Sequence, residues 1–129
     1  YKDAPILSVY SSTCGGKTEA YGAVFQKDLP YLKGGVECQD ELSPFHSWEV
    51  TRPAADIEAS LNRRRRFGRL QELTTLRRGV SGRTVEMKVK GSQGEVVLRA
   101  NEIRASFGLR SNFIAGIKRL PLTCTWARP

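Results

Sequence analysis

The sequence has no long apolar stretch. Runs such as "EVVL" (Glu95 to Leu98) and "FIAGI" (Phe113 to Ile117) fall far short of the ~20 residues that carry a helix across a bilayer, so no membrane span is expected. A charged-then-apolar leader is also missing, and the chain begins on Tyr1 rather than Met. That suggests a mature product or a piece of a longer protein whose targeting segment is gone. Histidine occurs once, at His46, and Cys14, Cys38 and Cys124 are the only cysteines; none of them forms the short C-x-x-C pair that makes zinc a strong reading. Acidic residues are the minority charge, with 13 Asp and Glu against 21 Lys and Arg, a net +8. Such an imbalance attracts anionic partners over long range. Nucleic acid, anionic lipid and anionic wall polymer all qualify.

What is present is ordinary globular composition, 40% hydrophobic and 26% charged in 129 residues. This argues for a folded module rather than a disordered tail. One domain of that length buries roughly 65 to 70% of its unfolded surface. The positive charge concentrates at Arg63 to Arg66 and continues at Arg69, Arg77, Arg78 and Arg83, a pattern that a solvated basic face explains as readily as a binding surface. Nucleic acid is disfavoured, because aromatics are not repeatedly interleaved with these arginines as base-stacking platforms require, Phe67 standing alone among them, and no known nucleic-acid-binding fold is signalled.

"APILSVYSS" (Ala4 to Ser12) reads as a buried strand rich in β-formers, ended by the glycines after Cys14. A short helix can form between Thr18 and Phe25, although Gly22 weakens it by ~1 kcal/mol and Pro30 stops it. "PYLKGGVEC" suggests a strand broken at Gly34-Gly35, and "FHSWEV" a further one. "RPAADIEASLN" predicts a helix with Pro53 near its start and Ile57 and Leu61 on one face. "GRLQELTTLRRG" spaces Leu70, Leu73 and Leu76 by three, a helical hint opposed by Thr74-Thr75 and the bracketing glycines, and is read as strand. In "RTVEMKVKGSQGEVVLRA" the alternation of Val85, Met87 and Val89 with charged residues predicts a hairpin turning at "GSQG". Asn101 is the expected cap of a helix carrying Ile103 and Phe107, Gly108 its left-handed stop, and "NFIAGI" a last strand. The order predicts an α+β fold with a mainly antiparallel sheet and two or three short helices.

Gly16-Lys17-Thr18 would close a phosphate-binding loop, but such a loop needs another glycine five positions before Gly16, and Ser11 stands there. Gly22 also falls too soon for the long helix whose N-terminus would face the phosphates. Nucleotide hydrolysis is set aside.

Taken whole, "APILSVYSSTCGGKTE" resembles the central motif of the stage II sporulation protein D family, the LytB-type amidase enhancers of bacterial cell walls, in which an apolar strand enters a Ser-Thr-x-Gly-Gly-x-Thr turn. "PYLKGGVECQDE", "SPFHSWEV" and "SGRTVEMKVKGSQGEVVLRANEIRASFGLRSNF" are similar, in the same order, to further segments of that family, over Ala4 to Phe113. The resemblance implies an extracytoplasmic protein, secreted or tethered through a missing N-terminal segment. It implies binding, and in some members lytic cleavage, of peptidoglycan whose stem peptides amidases have removed. The family's catalytic glutamate lies before the strand that opens this sequence, so the chain corresponds to the second half of the domain. An N-terminal half-domain or a wall amidase is the implied protein partner. Ser11 stands where the family often has histidine.

On this resemblance the glycan-binding candidates are Ser11, Ser12, Thr13, Gly15, Gly16, Thr18, Glu19, Tyr31 and Trp48. The glycines can bring backbone N–H groups to a sugar, though they also suit a tight turn. The hydroxyls and Glu19 also suit a helix cap, and Trp48 a core position. Glu19 is the weak candidate for a replacement acid, since glycosidic cleavage needs a carboxyl beside the bridging oxygen; Asp40 and Glu41 are others, more simply read as solvated or paired with arginines. No cofactor is expected. A Cys14–Cys38 disulfide, worth ~3 kcal/mol in a loop of that size, ranks before buried thiols, and zinc on Cys14, Cys38 and His46 comes last. Arg104 and Arg110 flank the last helix, for anionic glycan or as surface charge.

Overall fold

A computed structural model of the chain describes residues 1–11, 13–119 and 123–128. Its elements in chain order are α1 (Tyr21–Phe25), β1 (Trp48–Pro53), α2 (Ala54–Asn62), β2 (Leu70–Arg78), β3 (Thr84–Gly91), β4 (Glu95–Arg99), α3 (Ala100–Phe107), β5 (Gly116–Arg119) and β6 (Thr123–Arg128). The fold is α+β. Among the described residues the strands form two three-stranded antiparallel sheets, ordered β2-β3-β4 and β1-β6-β5.

The alternation in β3 explains the first sheet. Val85, Met87 and Val89 are buried, while Glu86 and Lys88 are half-buried and Lys90 is exposed. Cross-strand partners agree with that split, since Met87 pairs with Leu98 and Val89 with Val96 on the inner face. On the outer face Lys90 stands between Glu72 and Glu95, and Glu86 between Arg77 and Arg99, opposite charges that favour this register. Leu70, Leu73 and Leu76 belong to β2 despite their spacing. An irregularity between Leu70 and Glu72 resets the phase, so that buried Leu70 and half-buried Leu73 both turn inward; a second, between Thr75 and Arg77, leaves Leu76 exposed.

The two sheets share one core with α2 and α3. Ile57 and Leu61 come from α2, Ile103 and Phe107 from α3, and Trp126 from β6, where its ring stacks on Phe107 with centroids 5.1 Å apart. α2 starts directly after Pro53, whose missing N–H costs nothing at a helix entrance, and Asp56 lies in its first turn. Gly108 closes α3 in the left-handed conformation (φ 62°).

Several expectations need correction. Asn101 does not cap α3; the cap position is Arg99, whose N–H donates to Glu102 Oε2 (3.0 Å), while Asn101 lies inside the first turn and donates to the Val24 carbonyl of α1 (3.3 Å). α1 begins only at Tyr21 and stops at Gln26, which takes φ 58° well before Pro30. "PYLKGGVEC" forms no strand beyond one bridge, Lys17 with Glu37. β1 starts only at Trp48 and β5 only at Gly116. Most consequential is Ala4–Tyr10, which is neither buried nor in a sheet: Ile6, Leu7, Val9 and Tyr10 are all exposed, because among the described residues no neighbouring strand offers them a ladder or an apolar face. Among the described residues no side chain before Trp48 enters the buried hydrophobic core.

Because Phe107 is 2% exposed and bridges α3 to β6 through Trp126, Phe107→Ala is expected to cost ~3 to 5 kcal/mol. Urea unfolding followed by tryptophan fluorescence measures it.

Candidate functional site

The glycine turn, Thr13–Glu19, has no hydrophobic anchor and is held from two sides by polar bonds. The first side is the arm from Gly34 to His46. Thr18 N donates to the Val36 carbonyl (2.8 Å), Gly35 N to the Thr18 carbonyl (2.9 Å), Cys38 N to the Gly16 carbonyl (2.9 Å) and Val36 N to Thr18 Oγ1 (3.0 Å). Cys14 and Cys38 are joined by a disulfide. Gly15 N donates to Asp40 Oδ2 at 2.5 Å, Asp40 Oδ1 lies 3.3 Å from His46 Nδ1, and Thr13 Oγ1 and Ser43 Oγ share a hydrogen bond of 2.7 Å. Gly34, at φ 71°, is needed here, since a Cβ would collide with the Glu19–Ala20 backbone.

The second side is the turn between β2 and β3. Glu19 reaches across to it, with Oε1 accepting from Val80 N (3.1 Å) and Oε2 from Ser81 N (3.3 Å) and Ser81 Oγ (2.5 Å); Oε1 also accepts from Ala20 N (2.9 Å). Arg83 reaches the other way. Its guanidinium donates to the Lys17 carbonyl (2.8 Å) and to the Cys14 carbonyl, and it lies 5.3 Å from the Phe113 ring centroid. Each element thus sends one charged side chain into the other's backbone, and Gly79 leaves room for the carboxylate where a Cβ would strike it.

This geometry assigns most of the candidate residues to holding the turn. Thr13, Gly15, Thr18 and Glu19 all bond within it or to its two supports. Ser11 Oγ donates to the Thr13 carbonyl (3.2 Å), and Ser12 lies outside the described residues. Gly16 differs, for a Cβ there would meet no atom within 4 Å, so the turn's outer edge is open. Tyr31 stands beside a second, exposed arm at the N-terminus, residues 1–10, its hydroxyl accepting from Leu7 N (3.3 Å) and its ring 5.2 Å from that of Tyr1. Trp48 is not brought to the turn's bonding network; it packs on the core with its indole nitrogen buried. With Cys14 and Cys38 bonded to each other, neither offers a thiolate to zinc, and His46 faces Asp40 instead. Cys124 is a buried thiol in β6. Arg110 does approach this region, its guanidinium 5.8 Å from the Phe45 ring, whereas Arg104 lines a shallow hollow with Asn101, Ala105 and Leu109.

Arg83 and Ser43 are the residues that sequence reasoning passed over. Arg83 reads as one more charge in a basic run, and Asp40 as a solvated or arginine-paired acid; the residues of the glycine turn that each one bonds, Lys17 and Gly15, lie more than twenty residues away.

The family model described as "Domain of unknown function (DUF8618)" matches residues 23–118, more than half of the chain. The chain belongs to this family. The DUF8618 match runs from within α1 to within β5, so it contains the Gly34–His46 arm and the β2–β3 turn, while the glycine turn itself precedes it. No curated protein matches the chain.

Two variants check the clamp. Glu19→Ala is expected to cost ~1 to 3 kcal/mol, the range for hydrogen bonds to a charged group. It should also speed amide hydrogen exchange over 13–20 and 79–83 while Val89 and Trp126 keep their protection. Breaking the disulfide with Cys38→Ser should lower stability by ~3 kcal/mol and loosen the same turn, read in the same exchange experiment.

Proposed function

We propose that this DUF8618 chain is a glycan-binding module of the cell envelope. In this reading it is the second half of a stage II sporulation protein D-like domain and holds peptidoglycan strands freed of their stem peptides without cutting them. The observation that carries the reading is the glycine turn, held rigid by a disulfide and by the Glu19 and Arg83 bonds, with its open edge at Gly16. A site fixed before its ligand arrives loses little freedom on binding. Other features agree. A disulfide fits an oxidising compartment, and +8 suits a strand bearing a carboxylate on each muramic acid. Tyr10, 97% exposed, offers an amphipathic ring to a sugar face.

Glu19 supports binding rather than cleavage. Both of its oxygens accept hydrogen bonds from the β2–β3 turn or its own neighbour, which makes it a positioning residue. The acid for a cleaving complex would then come from another segment or a partner polypeptide.

The exposed arm favours a second reading, a protein-interaction module. Ile6, Leu7 and Val9 lie outside any helix or strand and are about half exposed, and such a segment can add a strand to a partner's sheet.

Purified sacculi stripped of attached polymers provide the test. The chain should be retained more strongly after amidase treatment, Tyr10→Ala should weaken retention several-fold, and no anhydromuramic product should appear. Indifference to stem-peptide removal would sink the glycan reading. If deletion of residues 1–9, which keeps Tyr10, leaves sacculus binding intact but abolishes capture of a separately expressed N-terminal half, the arm is the protein contact.

A further inference from the structure

The arginine run, Arg63–Arg66, is not a loose surface segment. It forms the loop between α2 and β2, and Asn62 clamps that loop from inside: Nδ2 donates to the Glu58 carbonyl (2.9 Å) and the Gly68 carbonyl (3.0 Å), while Oδ1 accepts from Phe67 N (3.1 Å) and Gly68 N (3.0 Å). Phe67, 1% exposed, pins it to the core. The loop is also fastened to the β3–β4 turn, where Gln93 N donates to the Phe67 carbonyl (3.0 Å), Ser92 N to the Arg69 carbonyl (2.8 Å) and Arg69 N to Ser92 Oγ (2.9 Å). All four arginines and Arg69 are exposed, and among the described residues their side chains make no ion pair or hydrogen bond. The nearest acids in sequence, Glu58 and Glu72, accept from Leu70 N (2.8 Å) and Thr74 Oγ1 (2.8 Å). Lys90 belongs to a different balance, because Glu72 and Glu95 stand across from it.

Five guanidinium groups therefore stand on a pre-shaped loop, uncompensated, at the opposite end of β3 from the glycine turn. Eight residues of strand separate the two ends, on the order of 25 Å. We propose that this loop is a second docking site, for a linear polyol-phosphate polymer of the cell envelope. A guanidinium fork matches the geometry of a phosphodiester and holds it with paired charge-assisted bonds, and clamping the loop lowers the ordering cost. A bilayer surface fits less well. The apolar side chains of α2, Ile57 and Leu61, are buried, and no exposed large hydrophobic lies between residues 54 and 69 to enter lipid. Nucleic acid fits less well too, because the one aromatic of the loop, Phe67, is buried and cannot stack on a base. The choice of an envelope polymer over nucleic acid rests on the extracytoplasmic placement in the reading above.

The test measures binding of purified poly(glycerol phosphate) to the full chain by calorimetry, with duplex DNA and phosphatidylglycerol vesicles as comparison ligands. Poly(glycerol phosphate) is expected to bind most tightly, with affinity falling steeply between ~50 and ~200 mM salt as counterions are released. The combined Arg63→Gln, Arg64→Gln, Arg65→Gln and Arg66→Gln variant should bind at least tenfold more weakly, with an unchanged circular dichroism spectrum and unchanged retention on polymer-free sacculi. The variant Asn62→Ala, which keeps every charge and loosens the loop, should fall in between. Equal affinity of the quadruple variant, or tighter binding of DNA or vesicles, would overturn the assignment. Loss of sacculus retention by the wild-type chain with poly(glycerol phosphate) binding intact would overturn the glycan reading alone.

Discussion

The glycine turn of this protein is joined to the domain by one reciprocal exchange: Glu19 of the glycine turn accepts from the β2–β3 turn, and Arg83 of that turn donates to the glycine turn's carbonyls. Hydrophobic burial does not do this, for among the described residues no side chain before Trp48 is part of the buried hydrophobic core. Single hydrogen bonds contribute only about 1 kcal/mol net, somewhat more when one partner is charged. The arrangement holds because the bonds are several, charge-assisted and mutually dependent. The disulfide between Cys14 and Cys38 narrows what the loop can do when those bonds open. A segment held this way is rigid in place yet near the low end of local stability, a combination common to binding loops.

β3 links this clamp to the rest of the molecule. Its Val85, Met87 and Val89 lie in the core, the turn before it carries the glycine turn, and the turn after it carries the arginine loop. Both peripheral features are thus attached to the ends of the best-buried strand, by side-chain and backbone hydrogen bonds. Their spacing and orientation follow from the strand.

Where local chemistry and burial coincide, the sequence was readable. The alternation from Val85 to Val89, the turn before Glu95, Ile57 with Leu61 on one helix face and Gly108 as a helix stop all act within one element. Ala4–Tyr10 misled because β-propensity describes how a residue fits a pleated, half-covered surface, and nothing in the segment tells whether such a surface is supplied. The threefold spacing of Leu70 and Leu73 imitates a helix, yet the strand reading from Thr74-Thr75 and the bracketing glycines holds, because an irregular register brings residues three apart to one face of β2. Asn101, a good cap by residue type, was displaced by Arg99 because Glu102 reached back to the Arg99 N–H, and its amide served the α1–α3 contact instead.

The candidate site was legible as a place and not as a set of roles. Glycines at 15, 16, 34 and 35 mark tight backbone in the sequence alone, and all four take positive φ. Glu19, Asp40 and Arg83 acquired their roles only when the chain brought residue 19 to residue 81, residue 40 to residue 15, and residue 83 to residues 14 and 17. Charge, the strand and helix periods and the turn chemistry were set by the order of residues, because they depend on neighbours a few positions apart. That Glu19 and Asp40 hold the turn, and which arginines stand uncompensated, were decided by tertiary structure, because a charged group's role is set by the partners that folding places within hydrogen-bond reach.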